Sequence, residues 1–362
     1  MRIAIIGAGK AGLACAHELE RHGIKPVIYE RNGYIGEQWA HVIASMEIVD
    51  RPIKNPMAYV KNNFAIKIKS LNKLTKVVHR APHKITTIKG NLGYLYKSDR
   101  DKDSVKYQLY SQLKNTKVVL NQVGDYELLT KKYDYVVIST GNPNYTKQLG
   151  CWQELVNSYV RGATVAGEFD PNALIVWINK EYCKNGYAYL TPFSEKKASL
   201  TLITTDVNEK EIDHYWQVFL SRENIKYKIL EEYKMKHNLG IAYPRIYKNI
   251  IFAGNSAGGL DPFLGFGLLN AITMGVAAAR TIVKGYSYEE QINHIIKRNF
   301  ELKKFREAFN KLNNKDLDNL ISVIGLPGIK HLTYYSPLNI TQIGSLAIKL
   351  MEKLKSINNK KK

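Results

Sequence analysis

At 362 residues, with 45% hydrophobic and 23% charged side chains, the chain is long enough for two joined domains, and its composition excludes a disordered protein. Its three cysteines, Cys15, Cys151 and Cys183, form no CxxC pair, which argues against a disulfide framework and a structural zinc site, and its nine histidines show no metal-ligand spacing either. The formal net charge of +21 says nothing about the fold; it implies attraction to anionic partners, or else follows from a composition rich in Lys, Asn, Ile and Tyr.

In chain order, residues 2–6 read as a fully buried strand, 10–21 as a helix with Gly23 near its end, and 25–30 as the next strand, a compact βαβ unit. The apolar start superficially resembles a secretory signal with Ala14-Cys15-Ala16 as cleavage site, but Lys10 interrupts it. No segment reaches the roughly 20 apolar residues that span a bilayer. The protein is expected in the cytoplasm, with peripheral contact to a membrane left open. Residues 44–96 are expected to be irregular because Pro52, Pro56 and Pro82 interrupt them. A helix is expected over 104–113 and strands over 117–122 and 133–139. Further strands are expected over 173–178, 186–192 and 198–204, with a helix over 209–222. A buried strand over 250–254 precedes a helix over 268–284 closed by Gly285, then a long basic helix over 289–312. The last predicted helix, 341–355, has an apolar face opposed by lysines and is expected to dock on the core, with a lipid contact as the minority reading.

Two glycine-rich turns carry the chemistry. Gly7-Ala8-Gly9-Lys10-Ala11-Gly12 follows a strand and opens a helix, the spacing that lets a backbone turn tightly and approach a pyrophosphate at a helix N-terminus. Glu30 ends the second strand, where a carboxylate holds a ribose diol, and Arg31 beside it is placed to shade the adenine or meet a phosphate. Far along the chain, Gly254-Asn255 closes another strand, and Pro262 and Gly265-Phe266-Gly267 lead into a helix starting at Leu268. Two such turns suggest one extended cofactor held from both ends, FAD rather than NAD. The run Val136–Gly141 fits a strand and turn behind the nucleotide, with Gly141 at the turn.

In these residues the chain resembles the geranylgeranyl reductase family of FAD-dependent oxidoreductases, within the p-hydroxybenzoate-hydroxylase-like flavoproteins. The family pattern of Gly-Asp, Ala-Ala-Gly, a proline, then Gly-x-Gly and an alanine-rich helix is matched by Gly254-Asn255, Ala257-Gly258, Pro262, Gly265-Phe266-Gly267 and residues 271–279. Asn255 stands where the family has an Asp that binds the ribityl chain; an amide still accepts from a hydroxyl. Gly186-Tyr187-Ala188-Tyr189-Leu190-Thr191-Pro192 is similar to the family's Tyr-x-Trp-x-Phe-Pro strand, which implies that Tyr187 and Tyr189 line the substrate pocket or supply a proton. By the same resemblance Arg100, ahead of a helix, is a cofactor-contact candidate, though a solvated loop is an equal reading. The family's cysteine near the flavin has no counterpart here.

The implied fold is α/β: a Rossmann-type FAD-binding domain, discontinuous in sequence (1–45, 97–150 and 240–288), with an inserted antiparallel β-sheet substrate domain (46–96 and 151–239) and a C-terminal helical segment (289–362). The implied activity is reduction of carbon–carbon double bonds in an isoprenoid, geranylgeranyl-type lipid or similar apolar substrate, with electrons from a ferredoxin or NAD(P)H. An anionic membrane surface is a further candidate partner. A flavin monooxygenase or halogenase on the same scaffold is the alternative; a nucleic-acid-associated flavoprotein is a third, although no RNA-binding motif supports it.

Overall fold

In a computed structural model, which describes residues 1–338, 340, 342 and 343, fourteen strands form two sheets. In chain order they begin with β1 (Ile3–Ile6), β2 (Val27–Tyr29), β3 (His41–Met46), β4 (Asn72–Arg80) and β5 (Ile85–Ser98). Then come β6 (Lys117–Val119), β7 (Tyr135–Ile138), β8 (Trp152–Ala166), β9 (Ala173–Trp177) and β10 (Tyr187–Pro192). The last are β11 (Lys197–Thr205), β12 (Lys228–Ala242), β13 (Ile246–Tyr247) and β14 (Ile250–Phe252).

The first sheet has the order β13-β14-β7-β1-β2-β6 and is parallel apart from the β13–β14 pair. Its central strand β1 is buried at every residue, as expected of a parallel strand covered on both faces, so its sequence is a plain apolar run without alternation. The helices Lys10–Arg21 and Leu268–Lys284 pack against each other closely: a Cβ on Gly275 would stand 2.1 Å from the Ala11 carbonyl oxygen. That contact brings the two glycine-rich turns together, since each turn feeds one of these helices.

The second sheet has the order β12-β8-β11-β10-β9-β4-β5-β3. It is antiparallel except where β4 meets β9 in parallel, with Val77 opposite Leu174. The expected antiparallel sheet is therefore mixed, because an early hairpin and a later meander join edge to edge at that seam. Helix Glu211–Arg222 covers part of one face, burying Trp216 and Phe219 against Trp177 and Leu200.

Three predicted boundaries fall inside strands: 45/46 in β3, 96/97 in β5 and 239/240 in β12. These strands belong wholly to the second sheet, and β5 and β12 are long enough to carry the chain from one sheet's region to the other without a break. The region expected to be irregular, 44–96, contains β4, most of β5 and helix Pro56–Phe64. Pro56 occupies the first helical turn, where a missing N–H costs nothing, so it starts an element rather than breaking one. Beyond helix Tyr288–Asn310, the chain adds helix Asn314–Ile324, closed at its start by a capping box of Asn313 and Asp316. The predicted helix 341–355 lies outside the described residues apart from 342 and 343.

Candidate functional site

One cavity of about 1460 Å³ runs from the first sheet to the second. Drug-sized ligands occupy pockets of roughly 300–1,000 Å³, so there is room for a large cofactor and a substrate together. Gly7, Gly9, Ala11, Glu30, Arg31, Gly141, Gly254, Asn255, Gly265, Phe266, Gly267 and Leu268 all line it, along with Tyr187 and Tyr189.

At the N-terminal turn, Gly7 has φ +99°, and a side chain there would press on the Ser139 carbonyl at 2.8 Å. Gly12 sits behind the turn, where a Cβ would meet the Gly7 carbonyl oxygen at 2.3 Å; it allows the helix to approach and does not face the cavity. The first intrahelical bond runs from Leu13 N–H to Gly9 O (2.9 Å), so the amides of the first turn point outward without an intrahelical acceptor. Glu30 is 9% exposed and accepts from the Ala8 amide (2.8 Å) and the Asn32 amide (2.9 Å). Ala8 therefore works through its backbone, anchoring the carboxylate beside the turn.

The second turn is built the same way. Ala271 N–H bonds to Gly267 O at 2.8 Å, leaving the amides of Leu268, Leu269 and Asn270 without intrahelical acceptors. Asp261 fixes the loop ahead of it, its carboxylate accepting from the amides of Phe263 (2.9 Å), Leu264 (2.6 Å) and Phe266 (2.7 Å). Pro262 lies outside the cavity wall; its carbonyl faces the buried Arg306, which also donates to Phe263 O at 2.9 Å. Asn255 donates from Nδ2 to the Gly141 carbonyl at 3.3 Å, tying this turn to the one after β7. A carboxylate could not make that bond, which gives a local reason for the amide at this position.

Arg100 is not brought to the cavity. Its guanidinium lies 4.0 Å over the Tyr34 ring and donates to the carbonyls of Glu37 (3.4 Å) and Gln38 (3.2 Å), so it holds the 36–38 segment from outside. Among the cations that do line the cavity, Lys10 and Lys106 grip Glu37 from either side at 2.6 Å and 2.8 Å. Burial pushes the Glu37 carboxyl up, but the two ammonium groups outweigh it and hold the group well below the usual carboxylate range. Lys10 sits in the first turn of the helix that the N-terminal glycine turn opens, and the trio carries a net positive charge. In the sequence Lys10 figured only as part of the glycine turn and as a break in the apolar start, and neither Glu37 nor Lys106 stood out; no signal marks a lysine in a short helix as inward-facing.

On the second sheet, Tyr187 and Tyr189 stand with ring centroids 5.8 Å apart. The Tyr187 hydroxyl donates to the Leu264 carbonyl, and burial raises both hydroxyls well above the usual range. This arrangement suits a wall that braces the Gly265 loop better than a source of protons. His237, unremarked in the sequence, lines the cavity under Gly265, where an added Cβ would stand 2.9 Å from its Cε1. Its Nδ1 has no partner among the described residues, and burial brings its pKa down to about 4, so the ring is neutral at pH 7.

Part of the cavity lining is apolar: Leu174 and Val176 of β9 line it, as do Ile321, Ile324 and Ile329 of the C-terminal helices. Arg51 holds the next segment by donating to the carbonyls of Thr333 (3.1 Å), Tyr334 (2.8 Å) and Leu338, and Tyr334 bonds His79 at 2.6 Å. The three cysteines are free and buried, away from the cavity wall. Among the described residues, no helix is long and apolar enough to cross a membrane.

The comparisons with known proteins agree with this geometry. Residues 1–170 match the pyridine nucleotide-disulphide oxidoreductase family. Among solved structures, a geranylgeranyl bacteriochlorophyll reductase-like protein from Thermoplasma acidophilum superimposes with a TM-score of 0.72 over 98% of both chains, at 16% identity. A flavin-dependent brominase superimposes with a TM-score of 0.62 over 98% of this chain and 100% of its own, at 14% identity. A curated relative, a flavin-containing monooxygenase of Arabidopsis thaliana, is 51% identical over 39 residues, which is 11% of this chain and 8% of that protein. The chain thus matches less than a tenth of that relative's length. The expected resemblance holds at the level of fold: the architecture is that of FAD-dependent oxidoreductases, and the cofactor is a flavin.

Proposed function

We propose that the chain uses FAD to reduce carbon–carbon double bonds in an apolar, isoprenoid-type substrate. One observation carries this reading: the cavity lined by the two glycine turns is also lined by Leu174 and Val176 of β9 and by Ile321, Ile324 and Ile329 of the C-terminal helices, a set of apolar side chains suited to a hydrocarbon chain. When bound, the flavin supplies the hydride to the substrate carbon. The free amides at Lys10 and Leu268, with Lys10 and Lys106, are suited to hold the cofactor's negative charge, and Glu30 to hold its ribose. Tyr187, Tyr189 and Phe266 wall the junction where a substrate would meet the ring, and the apolar side chains exclude water from it. The excess of basic residues would draw the protein toward an anionic lipid surface where such substrates reside.

The test is anaerobic incubation of chemically reduced holoenzyme with unsaturated prenyl lipids. Mass spectrometry should show a gain of two hydrogens for each bond reduced; no mass gain with any prenyl chain defeats the proposal. The monooxygenase or halogenase reading has the brominase-like fold in its favour. Substrate-stimulated oxygen consumption without saturated product would select it instead.

A further inference from the structure

Behind the Gly267 end of the site lies a second, far smaller cavity of about 20 Å³, enough to hold one water. Ile43, Ala44, Phe266, Gly267 and Leu268 border both cavities, so they form the wall between them. The polar lining of the small cavity is Ser45, Asp50, Asp261, Asn270 and Arg298. Most of these groups already have partners. Asp261 is engaged through both oxygens by three amides, and Asn270 donates to the Gly259 carbonyl at 2.9 Å. Arg298 donates to the Val49 carbonyl and lies within ion-pair distance of neither carboxylate. Asp50 is the titratable group left partly free: Ser45 donates to its Oδ2, and no hydrogen bond from the described residues reaches its Oδ1.

The charges facing Asp50 come from every side. On its own short helix, Glu47 and Arg51 pair with each other at 3.9 Å. Helix Tyr288–Asn310 contributes Arg298, which favours the carboxylate, and the 261–266 loop contributes Asp261, which opposes it. From β5 comes Tyr96, whose hydroxyl is fully buried, has no partner among the described residues, and is raised by burial and then by Asp50. Burial outweighs the Ser45 bond and Arg298 and lifts Asp50 to about 6.

We propose that Asp50 couples proton uptake to electron transfer in this site, binding one proton as the cofactor beyond the Gly267 turn gains two electrons and releasing it when they leave. The proposal rests on the reading that the large cavity holds a flavin. The electrons, with the one proton that stays on the cofactor, arrive as a hydride from a nicotinamide-class reductant. Alternatively they arrive singly from an iron–sulfur donor, with a solvent proton. A further solvent proton ends on Asp50 Oδ1, turning carboxylate into carboxylic acid; no bond to carbon forms there. Added negative charge across one layer of residues, in a poorly solvated wall, raises the proton affinity of a carboxylate already near neutrality. Asp50 is thus a positioning residue that sets the potential felt by the cofactor, not a group that touches substrate.

The experiment is measurement of the midpoint potential of the bound flavin against pH, by equilibrium reduction with indicator dyes, in the parent holoenzyme and in Asp50→Asn. Between about pH 6 and 8 the parent should take up one more proton per electron pair than the variant, and the difference should vanish at lower pH, where Asp50 is already protonated. Ser45→Ala removes the bond that favours the carboxylate. It should move the onset of extra proton uptake upward by about one pH unit, and it serves if Asp50→Asn does not fold. Equal proton uptake in the parent and both variants overturns the coupling while leaving the flavin reading intact. A purified chain that retains no flavin overturns both.

Discussion

Asn255 shows how one residue's neighbours decide its chemistry. Asn255→Asp restores the residue that the related sequence pattern carries, yet here it removes the bond to the Gly141 carbonyl and sets a carboxylate against a carbonyl oxygen. We expect it to destabilise the protein by about 1 kcal/mol in denaturant unfolding at neutral pH; a variant as stable as the parent would show that the link between the two turns carries no weight. Glu37 offers a second test, with a definite pH sign. Its folded-state pKa is depressed by Lys10 and Lys106, so its contribution is present above the ordinary glutamate value and is lost as pH falls through the depressed one. The stability gap between the parent and Glu37→Gln should stay flat from neutral pH to about 5 and close only below about 4. A gap that closes between pH 7 and 6 would contradict the ion-paired arrangement. Glycine spacing made the turns legible in the sequence. It could not reveal Lys106 or His237, because a single inward-facing cation or imidazole leaves no periodic trace.

Among the elements, the helix pair Lys10–Arg21 and Leu268–Lys284 does the most to assemble the site. Both were legible with their observed bounds, because strong apolar periodicity and terminal glycines agree at both. Their mutual approach was not legible: Gly275 is one small residue in an alanine-rich run, and only the structure shows the Ala11 carbonyl against it. Gly275→Ala should force the helices apart and destabilise the fold by about 1–3 kcal/mol. The opposite outcome, a stabilised protein as expected for glycine to alanine in an uncrowded helix, would disprove the contact. Some of the missed elements share a cause. β12 is an edge strand whose exposed half carries Lys228, Glu231, Glu232 and Lys236, and residues 85–91 of β5 are mostly exposed, so neither shows over its whole length the apolar run that marked β1. β8 hides the signal differently, with Asn157, Arg161 and Gly162 in its middle, accommodated because Tyr233 of β12 fills the space over Gly162.

At the scale of the molecule, the first sheet is assembled from segments that lie far apart in the chain, and the second sheet is threaded between them. Reading the two glycine turns as halves of one site made that discontinuity predictable, whereas the strand-by-strand boundaries depended on long strands that carry no sign of where one sheet's territory ends. The same arrangement makes cofactor binding a whole-molecule property. A ligand that touches both the Gly7 turn and the Gly267 turn can bind only when β1, β7 and β14 are assembled, so it stabilises the native state by mass action. Saturating the flavin-free protein with FAD at about a hundredfold over its Kd should add about 2.7 kcal/mol and raise the unfolding midpoint as FAD concentration rises. FMN lacks the adenylate half and would leave the Gly7 turn, Glu30 and the Lys10 region without a partner. It should therefore need much higher concentrations for the same shift, and ADP alone should likewise fall short. An equal shift from FMN and FAD at equal concentrations would mean that the cofactor is held from one end only, and that the N-terminal turn serves packing rather than binding.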